Sequence, residues 1–347
     1  MKLILKIFFG LFLLPQLVFG ASWYIDCSET SNGIGSEVDP SNSIQSAVDL
    51  ATGGDSFNIA NTTACVLTAP IDFSTGFTKD NSKTTVFKSW DNGGSILIQR
   101  PDEATGRIAA TIDGNGAATN LFQYTSATPN NVVLYNLELT GATNQQFRQF
   151  NNNWNLIGCE IHDSGNTNAL VRLNGNASLV NNYFHSTAGH AIDNNNNNAN
   201  IINNWIEVGA GRTGILLPIG RANFRVLRNF VKISGSNSRG IYVGDDTNII
   251  MNNTVVSTDN AANQKGIEMA ATFATLNIVI NNVIYNIKGS GAIPFEVGTN
   301  DAQILHGYNS YYDSNAKVSA ISIPFWFAAL SVETTVLFII MFVSSPT

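Results

Sequence analysis

Four pairs of residues, Glu160 with His162, Tyr183 with His185, Trp205 with Glu207 and Phe230 with Lys232, share a two-residue spacing and return after 23, 22 and 25 residues. On an extended strand that spacing puts both members of a pair on one side, because side chains alternate with a period of two. The residue types suit work on a sugar chain. A histidine or lysine whose pKa is lowered by its surroundings can remove a proton from a sugar carbon, which makes His185, Lys232 and His162 the candidate bases. Tyr183, Trp205 and Phe230 offer apolar surface on which sugar C–H groups can stack. Glu160 and Glu207 are expected to orient the base or to hold a calcium ion through hard oxygen ligands. Arg228, just ahead of Phe230, is placed to meet a substrate carboxylate and is counted with the catalytic group.

Charge supports an acidic partner. The stretch bounded by Arg212 and Arg239 also holds Arg221, Arg225, Arg228 and Lys232 and contains no carboxylate. Guanidinium groups bind carboxylate and sulfate, often in bidentate geometry, so Arg212 and Arg239 are assigned to binding an acidic polysaccharide. Plainer readings stand beside these. The paired columns also fit an ordinary sheet exterior with cross-strand contacts, and the arginines could pair with Glu207, Asp245 and Asp246 on adjoining coils.

These residues form a line only if the chain repeats. A phrase of apolar residue, any residue and asparagine returns at Leu134-Tyr-Asn136, Ile157-Gly-Cys159, Val180-Asn-Asn182, Ile202-Asn-Asn204, Leu227-Arg-Asn229, Met251-Asn-Asn253 and Ile280-Asn-Asn282. The intervals are 23, 23, 22, 25, 24 and 29 residues. A second phrase, glycine followed by alternating apolar residues, recurs at Gly189, Gly214, Gly240 and Gly266 and closes at Gly291. Two strand phrases with separate registers and variable loops describe coils stacked about 4.8 Å apart. Alternation then places Leu227, Asn229 and Val231 inward, and Arg228, Phe230 and Lys232 outward. A lone buried amide is costly, so asparagines 182, 204, 229, 253 and 282 are expected to bond one another in a ladder, with Cys159 in register.

Composition fits such a solenoid. Only 12% of the 347 residues are charged and the net charge is -7, which argues against nucleic-acid binding. Lys2 and Lys6 with the apolar run Leu3 to Phe19 resemble an export leader covering residues 1–20, so the expected location is secreted, periplasmic or at the cell surface. Residues 21–110 are expected to form a cap and first coils, and 111–316 the repeats. Ser43 to Ala51 has the apolar spacing of an amphipathic capping helix, with Ser43 as N-cap. Cys27 and Cys65 flank that helix and are expected to pair in an oxidising compartment, leaving Cys159 as a buried thiol. Residues 317–347 are apolar and leave the repeat, with a length that permits membrane contact.

Trp23-Tyr-Ile-Asp26, Ser43-Ile-Gln-Ser-Ala-Val-Asp49, Gly54-Asp55, Thr111-Ile-Asp-Gly-Asn115 and the Asn-bearing coils together resemble the pectate-lyase-like superfamily of right-handed parallel β-helix proteins. The resemblance spans residues 23 to 316 and implies an all-β solenoid, in a superfamily that holds lyases, hydrolases, epimerases and non-enzymatic surface proteins. The catalytic motifs of its subfamilies are missing. Gly189-His190-Ala191 precedes Asp245-Asp246 where the polygalacturonase-like order is the reverse, and the Arg-x-Pro-x-x-Arg segment of pectate lyases is absent. The chain therefore reads as a monomeric surface solenoid that binds an acidic polysaccharide, with lyase chemistry preferred over hydrolysis if it turns substrate over. A structural or adhesive solenoid without catalysis is the alternative.

Overall fold

The computed structural model describes residues 20–312, apart from 124–127, 149–152, 163–168, 187, 196–197, 221, 246, 270–275 and 298–303. Most of the expected leader, the apolar segment 317–347, Arg221 and Asp246 lie outside the described residues.

The chain winds into a parallel β-solenoid of about nine turns. Three parallel sheets form its walls, with eleven strands from Ser22–Ile25 to Ile304–Gly307, ten from Cys65–Val66 to Ser310–Tyr312, and seven from Phe147–Arg148 to Ile293–Val297. One full coil runs through Ala199–Ile202, Trp205–Val208 and Thr213–Leu217, and the next repeats it at Arg225–Leu227, Phe230–Ile233 and Arg239–Val243. The eleven-stranded sheet continues without interruption across residue 110. Each wall sends one apolar column inward. Ile201, Val226, Ile250 and Val279 form the first, Ile206, Val231, Val255 and Ile284 the second, and Ile215, Ile241, Ile267 and Phe295 the third, all buried. Mostly β-branched, they suit an extended backbone buried on one side. Nearer the N-terminus aromatic residues fill the interior, with Phe57 stacked on Phe87 and Phe122 edge-on to both Phe87 and Trp154.

The helix Ile44–Leu50 packs against the first strand and buries Ile44, Ala47 and Val48. The Ser43 hydroxyl accepts from the Ser46 amide and caps it. Cys27 and Cys65 form a disulfide with Cα atoms 5.2 Å apart, and Cys159 is a buried free thiol. Burial pushes the Cys159 thiol up to about 12, so it stays protonated and unreactive. Among the described residues no helix is long and apolar enough to cross a membrane.

The asparagine ladder is present and its bonding is regular. Each backbone N–H in the column donates to the amide oxygen one coil on, from Cys159 to Asn182, Asn182 to Asn204, Asn204 to Asn229, Asn229 to Asn253 and Asn253 to Asn282, at 2.9 to 3.0 Å. Each amide nitrogen donates to the next amide oxygen and to a carbonyl of the preceding coil, as Asn229 does to Asn253 at 3.0 Å and to Ile201 at 2.8 Å. Asn309 extends the column beyond its expected end.

Two registers differ from expectation. Asn136 lies outside the ladder, because Tyr135 pairs with Ile157 and Glu138 with Glu160, which puts Leu137 in line with Cys159. Alternation is also broken at the corner between the eleven- and ten-stranded sheets. Asn136, Gly158, Asn181, Asn203, Arg228, Asn252 and Asn281 all have φ between 51° and 66° there. A left-handed residue turns the chain and resets which side faces in, so Val226 is buried and Leu227 lies half-exposed. The glycine column is shorter than the sequence suggests. Gly214, Gly240 and Gly266 share a register, whereas Gly189 and Gly291 fall outside it, with Ala191 and Pro294 in the corresponding positions. A Cβ on Gly214 would lie 2.5 Å from Val231, so the walls approach too closely there for a side chain.

Candidate functional site

Two outward columns on the ten-stranded sheet carry the chemistry. Glu138, Glu160, Tyr183, Trp205 and Phe230 are aligned in one, and Thr140, His162, His185, Glu207 and Lys232 in the other. Sequence reasoning placed the coils from Glu160 to Lys232 and missed Glu138, because the repeated phrase Leu134-Tyr-Asn136 aligned Asn136, one residue early, with the ladder positions. The spacing Glu138 to Thr140, repeated at Glu160 to His162, is the signal that could have found it.

Each charged group on this face has a partner. His162 Nε2 lies 2.8 Å from Glu138 Oε1, His185 Nε2 lies 2.9 Å from Glu160 Oε1, and Lys232 Nζ lies 3.0 Å from Glu207 Oε2. The first two pairs are diagonal, linking a glutamate on one coil to the histidine on the next. Glu138 also accepts from the Thr111 hydroxyl, and Glu207 from Trp205 Nε1 at 2.8 Å. The His162 bond, with help from Thr111 and against the cost of partial burial, holds the Glu138 carboxyl below the ordinary glutamate range. Burial, reinforced by Glu207 and Glu160, pushes the Tyr183 phenol up to about 12.

The rings are engaged with one another. His162 stacks on His185 with centroids 4.6 Å apart, Tyr183 on His185 at 4.5 Å, and Trp205 on Phe230 at 4.1 Å. Rings stacked along a column of coils direct their faces at neighbouring rings and their edges outward. The flat platform expected from the sequence is therefore a row of half-buried ring edges beside polar groups.

The remaining site residues are dispersed around two adjacent coils. Arg228 is at the corner, exposed, with φ 58°, two residues before Phe230. Arg239 opens a strand of the seven-stranded sheet, pairs with Glu268 at 2.5 Å and lies over the Tyr242 ring at 5.7 Å. Arg212 is on that side too, where burial, with the charges of Arg212 and Arg239, lowers the pKa of His190. Arg225 points outward from the eleven-stranded sheet. The cations thus girdle the solenoid and do not gather on one face. Glu160 and Glu207 are likewise kept apart, on strands separated by the one carrying Tyr183 and His185.

A short hairpin that sequence reasoning did not foresee lies along the corner beside this face. Its strands Leu97–Ile98 and Arg107–Ile108 carry a loop whose Arg100 donates to the Asn203 carbonyl at 2.7 Å, 103 residues further on. Arg107, paired with Glu103, covers Gly158, where a Cβ would come within 2.6 Å of the guanidinium. The hairpin therefore crosses several coils and ends next to the turn that introduces Trp205. A separate open groove of about 580 Å³ lies on the eleven-stranded side, lined by Asn200, Asn223, Arg225, Asn248, Ile249 and their neighbours. Among the described residues its lining includes no carboxylate or imidazole.

No family model matches the chain, and no curated protein sequence does. Among solved structures, ORF18 of Geobacillus virus E2 is similar at 13% identity and a TM-score of 0.49, over 85% of this chain and 62% of that one. A GH136 lacto-N-biosidase from Eubacterium ramulus is similar at 9% identity and a TM-score of 0.36, over 86% of this chain and 68% of that one. The chain spans less than two thirds of the length of the virus protein. Likenesses this distant carry no argument about activity, and the solenoid rests on its own register.

Proposed function

We propose that this chain is a secreted or cell-surface β-solenoid, of the pectate-lyase-like kind, that binds a glycan along the outer face of its ten-stranded sheet. One observation carries the reading. From Glu138 to Lys232 a column of half-buried ring edges runs beside a column of hydrogen-bonding side chains, and the hairpin held by Arg100 borders both. Sugar hydroxyls can donate to the Glu138, Glu160 and Glu207 carboxylates while C–H groups meet the rings of Tyr183, Trp205 and Phe230. The Cys27–Cys65 disulfide and the leader-like start support export.

Binding is better supported than turnover. Glycoside hydrolysis needs a carboxylic acid that keeps its proton, and Glu138 is shifted the other way. A lyase needs a base and an unneutralised cation for the uronate, yet His162, His185 and Lys232 each face a carboxylate. The same pairing narrows the ligand to a neutral or sparsely charged glycan, because a polyanion would meet three glutamates on this face.

The test is retention of the full chain on a panel of immobilised neutral and uronate-bearing polysaccharides, with ultraviolet absorbance reporting any unsaturated ends. Retention on a neutral glycan, weakened severalfold in Trp205→Ala and without new unsaturated ends, is the expected result. The Trp205–Phe230 stack contributes about 1 kcal/mol beyond the area the half-buried ring covers, so a melting curve of the variant accompanies the assay to show that it is folded. Retention on no glycan, or retention unchanged in Trp205→Ala, Tyr183→Ala and Glu207→Gln alike, would leave the face as sheet exterior and favour a purely structural solenoid.

A further inference from the structure

We propose that Glu160, His162 and His185 form a binding site for a divalent transition-metal ion of the zinc class. The site goes beyond the glycan reading and does not rest on it. The three residues come from neighbouring strands, Glu160–His162 and Tyr183–Ser186, in which His162 is directly opposite His185. One donor atom from each lies within 4.8 Å of the other two.

The geometry is close to that of a bound ion. His185 Nε2 and Glu160 Oε1 are 2.9 Å apart, and two ligands at about 2.0 Å from a tetrahedral zinc sit about 3.3 Å from each other. An ion can therefore take the place of the proton between them with a shift of a few tenths of an ångström. The imidazoles are stacked at 4.6 Å with 13° between their planes, so His162 must turn its ring out of the stack to aim a lone pair at the same ion, over the distance of up to 4.8 Å that separates the donor atoms. Glu138 prepares that ring. Its carboxylate lies 2.8 Å from His162 Nε2, which fixes the proton there in the outer-shell manner of zinc-bound histidines, and Nδ1, 3.4 Å from the Thr140 hydroxyl, would exchange that long contact for the ion. Gln146 Nε2 bonds the His162 carbonyl at 2.8 Å and steadies the strand end.

The donor set selects the metal. Two imidazoles and one carboxylate suit zinc, cobalt, nickel or copper, whereas calcium and magnesium require oxygen ligands throughout. The calcium site expected from Glu160 and Glu207 is replaced by this one, since Glu207 is engaged with Trp205 and Lys232. Side-chain exposures of 17% for Glu160, 12% for His162 and 32% for His185 leave the site shielded yet open to an ion from solvent, with a fourth position for water.

The experiment titrates the untagged full chain with Co²⁺, reading its visible absorption, and then displaces it with Zn²⁺ or Ca²⁺. One saturable equivalent that Zn²⁺ displaces and Ca²⁺ does not is expected. His162→Ala, His185→Ala and Glu160→Gln should each weaken it at least tenfold, while His306→Ala leaves it unchanged. Zn²⁺ should also raise the melting temperature of the native chain and not that of His185→Ala, which separates loss of ligation from loss of fold. Absence of saturable binding, or binding that survives both histidine substitutions, overturns the proposal. Glycan retention measured in a chelator keeps its outcome separate from that of the glycan reading.

Discussion

The same strands of the ten-stranded sheet present two columns that obey different rules. Just ahead of them, inside the solenoid, one residue type returns from Asn182 through Asn204, Asn229, Asn253 and Asn282 to Asn309. Outside, the matching positions change from coil to coil, through Glu160, Tyr183, Trp205, Phe230 and Thr254. The interior is constrained by the backbone, because each ladder amide must accept from one main-chain N–H and donate to one main-chain carbonyl. Only a side chain with both functions at that length satisfies the geometry. The exterior is constrained by neighbouring side chains alone, so any mutually compatible set of rings and ion pairs will stand there. Repetition therefore marks where the fold is enforced, and departure from it marks where this chain could acquire its own chemistry.

The strongest way to break that contrast is Asn229→Ala. Asn229 is almost wholly buried, accepts from the Asn204 amide and side chain at 3.0 and 2.9 Å, and donates to Ile201 and Asn253. Its removal leaves the Asn204 N–H without that partner in a dry interior. Chemical denaturation should show a loss of about 3 kcal/mol, from the unsatisfied donor together with the lost bonds. Lys232→Ala, three residues along the same coil, should cost less than about 1 kcal/mol, since its ion pair with Glu207 is partly exposed. Equal losses at the two positions would mean that inside and outside are not governed separately.

The same distinction explains what was legible in the sequence. Ladder asparagines announce themselves by recurrence, and with them came the sheet, the register from Cys159 onward and the alignment of His162, His185, Glu207 and Lys232. The corner was not legible, because the first asparagine of each doublet differs from the second only in backbone conformation. Asn203 has φ 55° and is exposed, whereas Asn204 is buried in the ladder. Leu134-Tyr-Asn136 matched the phrase by composition while its asparagine occupied the corner, and that one-residue slip hid Glu138. The hairpin was invisible for another reason. Its contact from Arg100 to Asn203 follows no repeat, and nothing local in residues 97–108 indicates where the loop lies.

Acid sharpens the comparison, since the ladder amides do not titrate and Glu138 does. Its carboxyl is held below the ordinary value of 4.5, chiefly by His162. A carboxyl with a depressed folded-state pKa stabilises the fold fully above its unfolded value and loses that contribution as pH falls through the folded value. Stability of the native chain should therefore fall more steeply than that of Glu138→Gln as pH drops below the ordinary glutamate value of 4.5. At neutral pH the variant should be weaker by about 1 kcal/mol, a charged hydrogen bond discounted for partial exposure. Parallel acid limbs in the two proteins would show that the Glu138–His162 pair adds nothing to the fold.

The smallest effect should come from the corner, where a third column can be completed. Arg228 is the one charged residue among the left-handed corner positions from Asn136 to Asn281. Arginine has a Cβ that disfavours φ 58°, whereas asparagine tolerates that region and bonds its neighbours there. Asn203 Nδ2 already donates to Asn181 Oδ1 at 2.6 Å, and Asn281 donates to Asn252 in the same way, but Arg228 interrupts the row between them. Arg228→Asn should therefore stabilise the chain by about 0.5 to 1 kcal/mol, read as a rise in denaturation midpoint with an unchanged slope. Glycan retention should not change, because the Arg228 side chain leaves from the corner and not from the sheet face that carries Phe230 and Lys232. A fall in stability would mean that the exposed guanidinium makes a contact worth more than the backbone strain it imposes, and a loss of retention would return Arg228 to the binding site that the sequence alone had assigned it.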